Sequence, residues 1–132
     1  MLQLVYISSG RADLTEDDAR AILHSARIRN DHNGITGLLY FDGKRFLQVL
    51  EGPAAEIEET IGRIRVDPRH RALVILSRRE IAKREFGLWA MAYRAPGADA
   101  EAFVESIRAL VAQASPDVRA TFEGFAEVRR AA

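Results

Sequence analysis

The stretch KRFLQVLEG, residues 44–52, constrains the fold more than any other part of the chain. Side chains alternate across a β-strand. Phe46, Gln48 and Leu50 therefore share one face, and Leu47 and Val49 share the other. Both faces are apolar, so both must be covered; otherwise one would remain as a large exposed apolar patch. Gln48 then stands in an apolar layer between Phe46 and Leu50. A buried amide without partners costs about 1–3 kcal/mol, so the question is what Gln48 is bonded to.

The flanking sequence builds a sheet around this strand. Asp42-Gly43 is a tight-hairpin signal and makes GITGLLYFDGKRFLQVLEG two adjacent strands. LQLVYIS is a further strand, with Leu2, Leu4, Tyr6 and Ser8 on one face and Gln3, Val5 and Ile7 on the other. DLTEDDARAILHSARIRND reads as a helix with Thr15 as N-cap and Asp17 and Asp18 in its first turn. Its inward stripe is Ala19, Ile22, Leu23, Ala26 and Asn30, and Asn33-Gly34 stops it. Pro53 suits the first turn of a second helix over residues 54–66, with the stripe Ile57, Ile61 and Ile64. DPRHR breaks that helix as a solvated turn. ALVILSRREI and GLWAMAY are two more strands, the last with Trp89, Met91 and Tyr93 on one face. Two helical stretches follow, over residues 100–114 and 116–128.

The order β-α-β-β-α-β-β, then α-α, predicts an α+β protein: a ferredoxin-like sandwich with the first two helices on one face of a mixed sheet. The two C-terminal helices are expected to cover Leu47, Val49, Val5 and Ile7 on the second face. A length of 132 residues fits one domain. The 19 basic and 19 acidic residues cancel, so no global field attracts nucleic acid or an anionic membrane. Cysteine is absent, which removes disulfides and Cys-based metal or iron–sulfur sites. Met1 leads straight into a strand and no apolar run approaches the ~20 residues that span a bilayer. The expectation is a soluble cytoplasmic protein.

Three polar residues then stand out. Tyr6, Gln48 and Asn30 lie on inward faces of three separate elements and are expected to converge. Two amides and a phenol in an apolar layer make either a self-satisfied polar network or a site for a flat polar ligand. Other candidates weigh less. His24, His32 and His70 lack metal-ligand spacing, so no metal site is expected. Ser8 and Ser9 have no evident base, and GITG and DGK lack the length and order of a phosphate loop. Arg69 and His70, after the second helix, are placed to reach a ligand's polar edge. Trp89 and Met91 are of types that more often fill cores than touch cofactors.

Jointly, these pieces resemble the BLUF domains, a family of flavin-binding blue-light sensors, over residues 1–95. The matching segments are VYIS with Tyr6, ARIRNDHNGITGLL with Asn30, FLQVLEGP with Gln48, DPRH, and IAKREFGLWAM with Trp89 and Met91. The helices of residues 96–132 are similar to those of short members that carry no effector in the same chain.

The resemblance implies FAD as cofactor, with FMN or riboflavin as possible occupants, bound non-covalently between the two helices. It implies that Gln48 bridges Tyr6 and the flavin and that Asn30 holds the flavin's carbonyl and imide edge. Ile22 and Ile64 would flank the ring, with Arg29, Arg69 and His70 as further contacts. It implies a photoreceptor and not an enzyme: excited flavin takes an electron from Tyr6, a proton follows through Gln48, and Gln48 is left rearranged. Trp89 and Met91 would relay the change to the tail helices, and from there to a homodimer or higher homo-oligomer or a separate effector. Membrane and direct nucleic-acid partners are not expected. Ala26 stands where some members carry a hydroxyl, and Arg29 where members vary. Two other classes share the topology. An RRM-like RNA-binding module would use Tyr6 and Phe46 as stacking platforms, and an acylphosphatase-like hydrolase would use Ser8-Ser9-Gly10-Arg11 as an anion loop.

Overall fold

The structure is a computed structural model that describes residues 1–93 and 99–131, with the side chains of 91, 93 and 128–131 outside that description. The chain runs β1 (Leu2–Gly10), α1 (Glu16–His32), β2 (Thr36–Phe41), β3 (Arg45–Gly52), α2 (Ala54–Val66), β4 (His70–Glu80), β5 (Trp89–Tyr93), α3 (Ala100–Leu110) and α4 (Pro116–Ala131). The strands form one sheet in the order β4-β1-β3-β2-β5. All pairs are antiparallel except β2 with β5, which is parallel. This is the mixed ferredoxin-like sheet that the element order predicts, with β3 at its centre.

Local chemistry explains the element boundaries. Thr15 caps α1 through a capping box: its side chain accepts from the Asp18 N–H, and the Asp18 carboxylate accepts from the Thr15 N–H. In the β2–β3 hairpin the Asp42 carboxylate accepts the N–H groups of Lys44 and Arg45, while Gly43 takes φ +93°. Two expectations shift. α3 ends at Leu110, four residues early, because Val111 leaves helical geometry and starts a tight turn in which the Ala114 N–H bonds to the Val111 carbonyl. β4 begins at His70 within the segment read as a solvated turn, because the His70 ring is drawn inward onto Ser8 and Phe46.

Both faces of the sheet are covered. On one face α2 packs Ile57 and Ile61 against Leu2, Leu4 and Leu50, and α1 packs Ala19, Ile22 and Leu23 against Leu39, Phe41, Phe46 and Trp89. On the other, Val5, Leu38, Tyr40, Leu47 and Val49 meet Phe103, Val104 and Ile107 of α3 and Val118 and Phe122 of α4. Phe46 thus lies beneath α1, and Tyr6 lies between the two helices and not on an exposed sheet face. Among the described residues no helix is long and apolar enough to cross a membrane.

The close approach of β2 to β3 depends on one glycine. Gly37 has φ +148°, and a Cβ there would lie 1.9 Å from the Val49 carbonyl oxygen. Gly37→Ala is expected to destabilise the fold by about 2–4 kcal/mol through overlap and backbone strain. Urea unfolding measures this as a lowered midpoint at unchanged slope; a midpoint equal to that of the unmutated chain would disprove the constraint.

Candidate functional site

α1 and α2 lie side by side on the sheet, and a partly open cleft of about 70 Å³ remains between them. Its floor is set by register. Tyr6 of β1 and Leu39 of β2 are the direct cross-strand neighbours of Gln48 in β3. Strand alternation turns all three towards the helices. α1 contributes Ile22, Ser25, Ala26, Arg29 and Asn30 to the wall, at helical spacing. The opposite wall is Thr60, Arg63 and Ile64 of α2, followed by Asp67, Arg69 and His70. The structure thus brings Tyr6, Ile22, Arg29, Asn30, Gln48, Ile64, Arg69 and His70 to one cleft.

The floor has a defined polarity. The Tyr6 hydroxyl donates to Gln48 Oε1 at 2.7 Å, and both residues are almost fully buried. Burial pushes the Tyr6 phenol far above its ordinary range, because the charged phenolate would be desolvated. Tyr6 is therefore a neutral donor at any ordinary pH. Gln48 spends its oxygen on Tyr6, and among the described residues its Nε2 finds no acceptor. Asn30 is 2% exposed, and among the described residues its Nδ2 has no partner. A buried donor in that state is rare and needs an explanation. The cleft therefore presents amide donors that protein groups leave unused.

The far wall carries charge. Arg69 makes a two-pronged ion pair with Asp67, at 2.7 Å from its terminal nitrogen and 3.0 Å from Nε. The Arg69 hydrogen bonds hold the Asp67 carboxyl below its usual range. Arg63 bonds to Glu59 and Thr60 on its own helix, whereas Arg29 is exposed at the rim. His70 Nδ1 lies 2.9 Å from Ser8 Oγ, and its ring is 4.3 Å from that of Phe46. Ser8 thus does have a basic neighbour, supplied by β4 across 62 residues of sequence. Ser8 is only 2% exposed, so the pair is structural and not a nucleophile with access to substrate. Arg11, the cation of the anion-loop alternative, is bonded to Asp13.

Trp89 lies outside the cleft lining. It shares the apolar cluster of Ile22 and Leu39, and its buried Nε1 has no partner among the described residues. Met91 pairs with Leu39 through its backbone in β5, while its side chain lies outside the described residues. Sequence reading missed Ser25, Leu39, Thr60, Arg63 and Asp67, although helical spacing from Arg29, Ile57 and Ile64 would have found Ser25 and Thr60. Among the described residues no cluster of acidic and histidine side chains is arranged to hold a metal ion.

The buried His70 makes stability depend on pH. Burial lowers its pKa from 6.5 to about 4, with Asp67 opposing and Arg69 assisting the shift. Between these values the unfolded chain binds the proton and the folded chain does not, so stability falls as pH drops through this window. The contribution is complete above pH 6.5. His70→Gln, which cannot titrate, is expected to lose less stability than the unmutated chain between pH 7 and pH 5 in urea unfolding. Identical pH profiles would show that His70 is not buried in its neutral form.

Comparison with known proteins agrees with this geometry. Residues 1–92 match the family "BLUF: Sensors of blue-light using FAD". The chain is 35% identical over 63% of its length to a photoactivated adenylate cyclase subunit beta of Euglena longa, covering 10% of that protein. It spans no more than about a tenth of the cyclase subunits it matches. Among solved structures, "BlrB - a BLUF protein, dark state structure" superposes with a TM-score of 0.69 at 27% identity, covering 98% of this chain and 92% of that one. Klebsiella pneumoniae BlrP1 with FMN and cyclic diGMP superposes with a TM-score of 0.61 at 39% identity, over 68% of this chain and 25% of that one. The chain belongs to the BLUF family, the sensors of blue light that use FAD.

Proposed function

We propose that this chain is a blue-light photoreceptor domain that binds FAD non-covalently in the α1–α2 cleft and signals through rearrangement of Gln48. The observation that carries the reading is the Tyr6–Gln48 hydrogen bond on the cleft floor, beside the Asn30 Nδ2, which has no partner among the described residues. A flat ring bearing carbonyl and imide groups on one edge suits these donors. Asn30 would hold that edge, Gln48 would stand between it and Tyr6, and Ile22 and Ile64 would contact the ring from the two helices. Arg29, Arg69 and His70 would meet its more polar parts; FMN and riboflavin carry the same ring.

FAD, when bound, supplies the blue-light absorption and, once excited, an acceptor for one electron and one proton. The residues do the rest. Tyr6 gives up an electron, and its oxidised phenol, now strongly acidic, passes its proton to Gln48 Oε1, the acceptor already 2.7 Å away. Gln48 releases a proton from its nitrogen, so the amide becomes its imidic tautomer with no net change in charge. Return of one electron and one proton restores Tyr6. Gln48 is left as the tautomer or as a rotated amide, because donor and acceptor share one rotatable group. Either form changes the hydrogen bonding to the ring and accounts for a small red shift.

The domain would act as a sensor and not as an enzyme. Residues 1–95 would form the flavin-binding part and residues 96–132 an extension within the same compact unit, the boundary between them lying outside the described residues. Trp89 and Met91 of β5 would pass the change to α3 and α4, whose outer surface would meet a second copy or a separate effector in the cytoplasm.

Absorption spectra in the dark and after blue light test the reading. The expected result is a yellow protein whose flavin bands shift slightly to the red and recover in darkness. Gln48→Leu is expected to keep the flavin and lose the shift, and a variant that still shifts removes Gln48 from the mechanism. Asn30→Ala, which deletes one buried hydrogen bond, is expected to weaken flavin binding about 5- to 150-fold. A colourless protein that cannot be reconstituted with FAD would sink the proposal.

A further inference from the structure

β3 carries buried polar side chains on both faces. Gln48 points to the cleft, and Glu51, three residues on, points to the opposite face under the C-terminal helices. Glu51 is fully buried. Its Oε2 accepts from Gln3 Nε2 at 2.7 Å, and its Oε1 accepts the backbone N–H groups of Glu85 and Phe86, each at 2.9 Å. The carboxylate thus grips the segment that leads into β5. Beside it, Arg84 donates to the Glu51 carbonyl, to Thr36 Oγ1 and to the Gly34 carbonyl.

The network continues to the C-terminal helices. Arg79 of β4 donates to Gln3 Oε1 at 2.8 Å, to Glu85 at 2.5 Å and to Ser115 Oγ at 3.2 Å. Glu85 Oε1 accepts the N–H of Ser115 at 2.9 Å, and the Ser115 carbonyl accepts the Arg119 N–H in the first turn of α4. An unbroken series of directed hydrogen bonds therefore runs from β3, through the segment before β5, to the α3–α4 junction. The surrounding contacts between sheet and helices are apolar, and such packing tolerates small sliding. Hydrogen bonds at 2.7–2.9 Å are directional and weaken steeply when misaligned. A buried carboxylate is also costly to retain in a core unless it is paired, so its position here calls for a role that apolar packing cannot fill.

We infer that Glu51 is a positioning residue for the signal: it ties the α3–α4 junction, through Glu85, to the strand that carries Gln48. The inference rests on the reading of Gln48 as the light switch. Movement of β3 on rearrangement of Gln48 would change the acceptor geometry at Glu51, shift Glu85, and loosen or tighten the hold on Ser115. The start of α4 would then be the surface where light is read out.

The test uses the full flavin-loaded chain and two separate readouts. The red shift reports the switch, and amide hydrogen exchange at Ser115, in the dark and in light, reports the junction. The unmutated chain is expected to show the shift together with a light-dependent change in exchange of about fivefold or more, the lower end of ordinary allosteric coupling. Glu51→Gln sets an amide donor against Gln3 or against the backbone N–H groups. Glu85→Ala, at a less buried position, removes the acceptor of the Ser115 N–H together with the Arg79–Glu85 ion pair, leaves Glu51 in place and guards against misfolding. Both are expected to keep the shift and lose the light dependence at Ser115. Either variant retaining the full light dependence overturns the inference, as does an unmutated chain that shifts without any change at Ser115. Absence of the shift in the unmutated chain marks failure of the Gln48 reading itself and removes the inference with it.

Discussion

The central strand β3 is buried on both faces, and most of the architecture follows from that burial. Five of its residues, Phe46, Leu47, Val49, Leu50 and Glu51, are entirely inaccessible. Covering one face takes α1 and α2; covering the other takes α3 and α4. A sheet that packs on both sides has its polar side chains in a low-dielectric interior, where each must find partners. Gln48 and Glu51 are the two polar residues that β3 places there, and they face opposite layers. One strand thus connects a ligand cleft to the helices on the far side, and the distance between the two events is three residues.

The cleft lies between α1 and α2, which both line it. Each has its own apolar cluster against the sheet, α2 over the Leu4–Leu50 row and α1 over the Leu39–Phe41 region. In the Tyr6–Gln48–Leu39 row, Tyr6 belongs to the α2 cluster and Leu39 to the α1 cluster, and Gln48 stands between them. The row is buried, and its polar members, Tyr6 and Gln48, bond to each other. This division lets a small change in hydrogen bonding occur without disturbing either cluster. It also explains why Tyr6 can be so strongly desolvated and still bond to Gln48 at 2.7 Å.

Much of this was legible in the residues themselves. The alternation in FLQVLEG required two covered faces, the Asp42-Gly43 hairpin set β2 beside β3, and the inward stripe of α1 ended on Asn30. Each of these patterns spans fewer than twenty residues and arises from strand or helix periodicity. The bond partners were less legible. Ser8 was read as lacking a base, yet β4 brings His70 to it. Nothing in the strand pattern singled out Glu51, yet it is fully buried and bonded to Gln3 and to the segment before β5. DPRHR was read as a solvated turn because its composition is polar; Phe46 and Ser8 draw His70 inward and start β4 there.

The sequence by itself determined which side chains face inward, because periodicity is a local property of strands and helices. It also determined the family, through residues that keep a characteristic order and spacing. Only the tertiary structure decided which inward side chains meet. The Tyr6–Gln48, Ser8–His70 and Gln3–Arg79 contacts span 42, 62 and 76 residues. They depend on strand order and register, and register is set by the packing of whole faces against each other. A single residue's slip would turn Gln48 to the α3–α4 face and Glu51 to the cleft, and nothing local to either residue forbids it.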